Sequence, residues 1–133
     1  MTSLYRFGFC CLVLLACLAG CGSDGLTEIS GTVTFNGQPV EKGNISFLPA
    51  DGKGPTAAAT IAAGKYSVKI APGQKKVAIE GYKVLGQQHL RPNDPTSPKI
   101  DSLEEILPPR FNTQTELTRE ITGDESTYDF DLK

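Results

Sequence analysis

The side chains that could carry out chemistry in this chain are few. His89 is the single histidine, and no Cys, Asp or Glu lies close to it in sequence at metal-ligand spacing. One imidazole does not build a zinc site of the usual type. The sequence also lacks a Gly-x-Ser-x-Gly element and, after position 21, any cysteine nucleophile. We therefore predict no catalytic residues, no metal, no cofactor and no enzymatic activity.

Carboxylates and aromatic rings are the other candidates. Asp129 and Asp131 are two residues apart, which places both on one face of a strand, and grouped carboxylates are ligands that Ca²⁺ prefers. The alternative, a solvated strand face, is favoured because Asp129 and Asp131 alternate with the predicted core residues Tyr128 and Phe130. Trp is absent, and Tyr82 and Phe111 are the aromatic residues that the strand pattern leaves off the predicted inward faces. Together with His89 they form the candidate binding residues, and the alternative is that both rings pack a loop onto the domain.

The cysteines all lie near the N-terminus, at positions 10, 11, 17 and 21, so the rest of the chain holds no disulfide framework. Residues 1–6 carry one positive charge and no acid, and residues 7–19 form an apolar run. A helix of that length, at about 1.5 Å per residue, reaches only about 20 Å, which is short of the roughly 30 Å hydrocarbon thickness of a bilayer. The pattern predicts a secretory signal peptide over residues 1–20.

The end of this segment, Leu18-Ala19-Gly20-Cys21, resembles the lipobox of bacterial lipoproteins. The resemblance implies cleavage before Cys21 and a diacylglyceryl group on its sulfur. An ordinary signal peptide cut near Ala19, with Cys21 unmodified, is the alternative. Residues 21–25 then form the lipidated N-terminus and a short linker, because small polar residues follow the cysteine. The expected partner is the lipid bilayer, and the expected location is membrane-anchored, facing the periplasm or the cell surface.

Charge excludes one further class of partner. Lys and Arg number 13 against 15 Asp and Glu, which gives a formal net charge of −2. Phosphate binding needs a basic excess, so we predict no nucleic-acid partner. The sequence contains no signal for an oligomeric state.

The elements that position these side chains are predicted to be strands. Alternating apolar residues between turn formers, such as Asn36-Gly37 and Ala71-Pro72-Gly73, favour seven strands. They cover residues 29–35, 44–48, 56–62, 65–70, 75–83, 115–122 and 127–132. The inward positions form the predicted core: Ile29, Val33, Phe35, Ile45, Phe47, Ile61, Tyr66, Val68, Ile70, Val77, Ile79, Leu117, Ile121, Tyr128, Phe130 and Leu132.

Residues 84–114 interrupt this pattern and hold five of the nine prolines. Proline at every third position in Pro92, Pro95 and Pro98 predicts an extended, polyproline-like stretch. The following residues, Ser102-Leu103-Glu104-Glu105, match a capping box and predict a short helix ended by Pro108-Pro109. Such a long connection is either functional or only mobile.

Several stretches carry a family resemblance. Residues 31–40 (GTVTFNGQPV) and 43–47 (GNISF), with the hairpin residues 63–68 and the Pro-Gly turn at 72–73, resemble carboxypeptidase regulatory-like domains. Residues 107–112 (LPPRFN) and 128–132 (YDFDL) are similar to a subgroup of short bacterial lipoproteins with this domain. The resemblance implies a transthyretin-like fold. The prediction for residues 26–133 is thus an all-β, seven-strand antiparallel transthyretin-like β-sandwich with one Pro-rich insertion containing a short helix.

These observations lead to one functional expectation and two alternatives. We expect a membrane-anchored lipoprotein of the bacterial cell envelope that acts as a non-catalytic structural or interaction module, with an envelope protein or a glycan as partner. A ligand-binding lipoprotein for glycan or calcium is the first alternative. A hydrolase on a transthyretin-like fold is the second, although the terminal Tyr-Arg-Gly-Ser signature and paired histidines of hydroxyisourate hydrolases are absent.

Overall fold

The computed structural model describes residues 25–133 as a domain of nine β-strands with one short 3-10 turn. The prediction of an all-β, sandwich-like fold is confirmed. The strands, in chain order, are β1 (Thr27–Phe35), β2 (Gln38–Pro39), β3 (Lys42–Pro49), β4 (Ala57–Ala62), β5 (Lys65–Ile70), β6 (Gly73–His89), β7 (Lys99–Glu105), β8 (Thr118–Ile121) and β9 (Phe130–Leu132). The structure therefore has two strands more than the sequence predicted, because β2 and β7 were not expected.

The strands form one curled sheet in the order β2-β1-β5-β4-β3-β6-β7. Two strands pair with different parts of β6: β8 pairs with its first residues, 73–76, and β7 pairs with its last residues, 82–89. Neighbours along the sheet are antiparallel, whereas β9 pairs with β1 in parallel, so the predicted antiparallel arrangement holds except at this last strand. Alternation of side chains along each strand gives the sheet an inner apolar face and an outer polar face.

The inner face encloses the core. Phe47, Tyr66 and Phe130 meet at its centre with ring centroids 6.0 to 6.3 Å apart. Most of the predicted core residues are buried, while Phe35, Val68 and Leu117 are only partly buried against them. Sequence reasoning missed three buried residues: Val40, Leu107 and Phe111.

Tight turns connect several strands as the sequence predicts. Asn36 and Gly37 both have positive φ angles, of 50° and 79°, and they join β1 to β2. Ala63 and Gly64 adopt the same geometry between β4 and β5, at 50° and 75°. An alanine at positive φ is uncommon, and its amide donates a hydrogen bond to the carbonyl of Glu41 at 2.9 Å.

The region 84–114 contradicts two predictions. The segment predicted as a helix from Ser102 is instead strand β7, and the helical structure present is a 3-10 turn at Pro109–Phe111. The polyproline-like prediction is also wrong, because residues 90–98 form a folded turn. In that turn the amide of Asp94 donates to the carbonyl of Arg91, and the amide of Ser97 donates to the carbonyl of Asp94, both at 3.0 Å.

Candidate functional site

The predicted lipidation site lies outside the described residues. Cys21, the predicted signal peptide over residues 1–20 and all of the linker except Gly25 precede the part of the chain that the structure describes. The described domain begins beside Leu26, which is 41% exposed and lines a small cleft with Pro55, Lys69 and Ala71. The chain therefore enters the domain at the end where β1 and β6 start.

Tyr82 lies on the outer face of β6. Its hydroxyl donates a hydrogen bond to Oε2 of Glu80 at 3.0 Å. This bond, with smaller contributions from desolvation and from the charges of Glu80 and Glu105, raises the pKa of Tyr82. The side chain lines a cleft of about 470 Å³ together with Pro39, Ile106 and others. Tyr82 thus remains accessible to a ligand.

His89 stands at the far end of β6 and has a structural contact. Its Nδ1 lies 3.0 Å from the carbonyl oxygen of Ser97, across the turn at residues 90–98. Because a carbonyl can only accept, the hydrogen must be on Nδ1. The hydroxyl of Ser97 in turn donates to the carbonyl of Asp94 at 2.8 Å. These bonds close the turn.

Phe111 is 8% exposed and belongs to the core. Its ring meets the ring of Phe35 edge-on, with centroids 6.3 Å apart at 74°. The guanidinium of Arg110 lies 4.8 Å from the ring centroid, where it makes a cation–π contact. Phe111 is therefore occupied by packing and does not present an exposed platform.

The structure does not bring these three candidates together. Tyr82 is on the outer face of the sheet, whereas Phe111 packs on the inner face. His89 is further along β6 than Tyr82, at a distance of roughly 20 Å for an extended strand. A shared groove that includes all three residues is accordingly not formed in the described domain.

The paired carboxylates near the C-terminus make strand contacts. Oδ1 of Asp129 accepts hydrogen bonds from the amide of Thr32 at 2.8 Å and from its hydroxyl at 3.0 Å. Asp131 accepts from the hydroxyl of Thr34 at 3.0 Å. These bonds attach the C-terminal segment to β1. Within residues 25–133, no three His, Cys, Asp or Glu side chains cluster in a way that could hold a metal ion.

The main surface feature that sequence reasoning missed is a two-stranded ribbon. We define the ribbon as residues 83–89 of β6, strand β7 and the turn between them. β3 begins opposite Tyr82, at Lys42, so the later residues of β6 pair with β7 alone. Two strands without further support are marginally stable in water, which makes the ribbon an element that benefits from a partner.

The ribbon is also where apolar surface is concentrated. Of the six large hydrophobic residues that are exposed in the described domain, four belong to it: Leu85, Leu90, Ile100 and Leu103. Leu85 sits at a β-bulge, where the register of the ribbon shifts between Val84 and Gly86. Exposed apolar side chains grouped on one projecting element are typical of an interaction surface.

An ion pair connects the ribbon to the sheet. Nζ of Lys42 in β3 donates to Oδ2 of Asp101 in β7. Nε2 of Gln87 approaches Oδ1 of the same carboxylate at 3.4 Å. The hydrogen bond from Lys42, which is the largest cause, lowers the pKa of Asp101. The same carboxylate therefore links three strands.

Comparisons with known proteins add little. No protein-family model matches the sequence, and no curated protein matches it. A solved structure that is similar in part is a 9R-lipoxygenase from Cyanothece PCC8801, with a TM-score of 0.36 and 12% identity. The match covers 82% of this chain and 16% of the lipoxygenase chain. A likeness of this kind carries no argument about fold or activity.

No helix in the described domain has the length and apolar character needed to cross a bilayer.

Proposed function

We propose that this chain is a lipoprotein of the bacterial cell envelope that is anchored through acylated Cys21 and presents a non-catalytic interaction domain. The observation that carries the proposal is the sequence Leu18-Ala19-Gly20-Cys21 directly after an apolar run. The thiol of Cys21 is the nucleophile that lipid transfer requires. Two or more acyl chains hold a protein stably at a membrane, whereas a single chain binds reversibly.

The domain that follows is proposed to belong to the carboxypeptidase regulatory-like, transthyretin-like group. Its turn residues at 36–37 and 63–64 and its apolar strand positions support this assignment. In the described part of the chain, Asp129 and Asp131 are engaged in strand contacts and His89 in a turn contact. This arrangement supports interaction rather than catalysis as the role of the domain.

Mass spectrometry of the natively produced protein tests the anchor. We expect the mature chain to begin at Cys21 and to carry the added mass of a diacylglyceryl group and further acylation. The matched control is Cys21→Ser, which keeps the side-chain size and removes the nucleophile, and which should leave the protein unacylated and released from washed membranes. An unmodified wild-type chain that starts near residue 20 would refute the proposal.

A glycan-binding role is the second candidate, because Tyr82 lines the cleft of about 470 Å³ at the base of the ribbon. Aromatic faces of this kind bind sugars. Retention of the protein on peptidoglycan or other envelope glycans should fall with Tyr82→Ala and persist with Tyr82→Phe, which keeps the ring. Equal retention of both variants and wild type argues against this second function.

A further inference from the structure

The outer edge of β7 has no partner strand in the described domain. β7 pairs with β6 on one side and is the last strand of the sheet order on the other. Its residues Lys99–Glu105 contain no proline, and most of them are exposed. An edge of this length, with free amide and carbonyl groups, is a template for another strand.

The charges along β7 match those of a second, antiparallel copy of the same strand. A two-fold axis at Ser102 places Lys99 opposite Glu105 of the partner subunit, and Glu105 opposite Lys99 of the partner subunit. Other registers that overlap most of the strand, centred on Asp101 or Leu103, place two acids opposite each other. Opposite charges across a strand pair stabilise it and like charges destabilise it.

In the described domain neither Lys99 nor Glu105 has an ion-pair partner, although Oε1 of Glu105 accepts a hydrogen bond from Nδ2 of Asn112 at 2.7 Å. Inside the ribbon Lys99 is paired with His89, and Glu105 is paired with Tyr82, so the lysine and the glutamate lie at opposite ends of the strand. Two acids lie between them: Asp101 already has the ammonium of Lys42 as its counter-ion, and Glu104 would lie opposite Ile100 of the partner subunit in the register centred on Ser102. Lys99 and Glu105 can therefore form ion pairs with each other only between two molecules.

We propose that two copies of this chain associate through their β7 edges, in the register centred on Ser102, to form a four-stranded ribbon. The inference rests on the proposed function in one respect, because anchoring on a common membrane raises the local concentration of the copies. Pairing in this register also places Leu103, which is 48% exposed in the single chain, diagonally across from Leu103 of the partner subunit.

Thiol cross-linking in native membranes tests the register directly. All natural cysteines lie at or before position 21, so Ser102→Cys introduces a single free thiol into the described domain. The axis brings the two introduced thiols together, and a short bismaleimide should convert most of the full-length protein to a covalent dimer. Thr113→Cys, an exposed position outside the ribbon, is the matched control and should remain monomeric. Equal cross-linking of the two variants would overturn the proposal.

Charge reversal in the Ser102→Cys background gives a second test. Lys99→Glu or Glu105→Lys alone opposes like charges at both ends of the pair, and we expect each to lower dimer yield about tenfold. The double reversal restores opposite charges and should restore the yield. Thermal unfolding checks that each variant folds. If the double variant is folded and acylated at Cys21 but its dimer yield does not recover, the dimer proposal is overturned and the anchor proposal stands. If mass spectrometry of the same samples shows no acyl group, the anchor proposal is refuted.

Discussion

Backbone atoms pack closely where the C-terminal segment crosses the middle of β1. The amide of Tyr128 donates to the carbonyl of Ser30 at 2.9 Å, and the hydroxyl of Tyr66 donates to the carbonyl of Tyr128 at 2.6 Å. Gly31 lies under this crossing. The carbonyl group of Tyr128 packs directly against Gly31, so a side chain at residue 31 would displace it.

Gly31→Ala should therefore destabilise the domain strongly. A β-carbon at this position would stand 1.9 Å from the carbonyl oxygen of Tyr128, which is backbone and cannot move aside cheaply. We expect a loss of about 3 kcal/mol in the free energy of unfolding, measured by denaturant titration. Gly123→Ala is the control, since a β-carbon added there would have no atom within 4 Å. Similar stability of the two variants would contradict the crossing described above.

Tyr66 predicts how stability depends on alkaline pH. Burial, as the largest cause, raises the pKa of its hydroxyl, and the charge of Asp129 adds to the effect. Because the pKa is higher in the folded state, stability is complete below the unfolded value of about 10 and falls as the pH rises above it. Tyr66→Phe should lose about 1 kcal/mol at neutral pH and show a smaller decline above pH 10. Parallel declines of wild type and variant would exclude Tyr66 as the source.

The core assignment makes a third prediction at this scale. Phe47 has no exposed surface and contacts both Tyr66 and Phe130. Phe47→Ala should cost about 3 to 5 kcal/mol, by lost burial and by the cavity that remains. Its neighbour Leu48 points to the outer face and is 37% exposed, so Leu48→Ala should change stability by far less. Thermal or denaturant unfolding distinguishes the two, and equal losses would refute the assignment of inner and outer faces.

At the scale of elements, the local sequence pattern of residues 99–105 predicts a helix, whereas tertiary pairing makes this segment a strand. Ser102 and Glu105 have the spacing of a capping box, which is a local signal. The structure places this segment beside β6, where pairing over Tyr82 to His89 satisfies its backbone. Strand pairing between residues distant in sequence outweighed the local preference, and no single window of sequence contains that information.

Other elements were predictable because their signals are local. The Asn36-Gly37 turn and the clean alternation of Lys65–Ile70 follow from residue type alone, and the structure has both. Leu107 and Phe111, in contrast, are buried because the chain after β7 folds back over the core. The candidate site shows the same limit. The sequence indicated that Tyr82 and Phe111 both lie off the inward faces of the strands, but only Tyr82 is accessible, because tertiary packing buries Phe111.

The ion pair between Lys42 and Asp101 predicts acid sensitivity of the ribbon. Lys42 lowers the pKa of Asp101, so the folded pKa lies below the unfolded one. The stabilisation is thus present above the unfolded value of about 3.9 and is lost as the pH falls through the folded pKa. Hydrogen exchange of β7 amides should accelerate in that range relative to amides of β5. Lys42→Gln should remove most of the pH dependence, and an unchanged dependence in this variant would exclude the pair as its cause.

At the scale of the whole molecule, strand direction separates the proposed anchor from the ribbon. The chain enters at Leu26, beside the start of β6, and β6 then runs for up to about 50 Å to His89. The segment from Cys21 to Leu26 can extend by at most about 17 Å. If Cys21 is acylated as proposed, so short a linker would keep the entry end of the domain near the membrane and direct the ribbon away from it.

Fluorescence quenching in reconstituted vesicles can measure this orientation. A thiol-reactive fluorophore at Lys69→Cys, beside the entry point, should be quenched by nitroxide-labelled lipids, whereas the same probe at Asn93→Cys, in the ribbon turn, should not. The physical reason is distance, since collisional quenching requires the probe to reach the bilayer. Lengthening the linker by ten Gly-Ser residues is the control and should weaken quenching at position 69. Strong quenching at position 93 would mean that the ribbon contacts lipid, and its apolar side chains would then be membrane contacts rather than part of an interface between two copies.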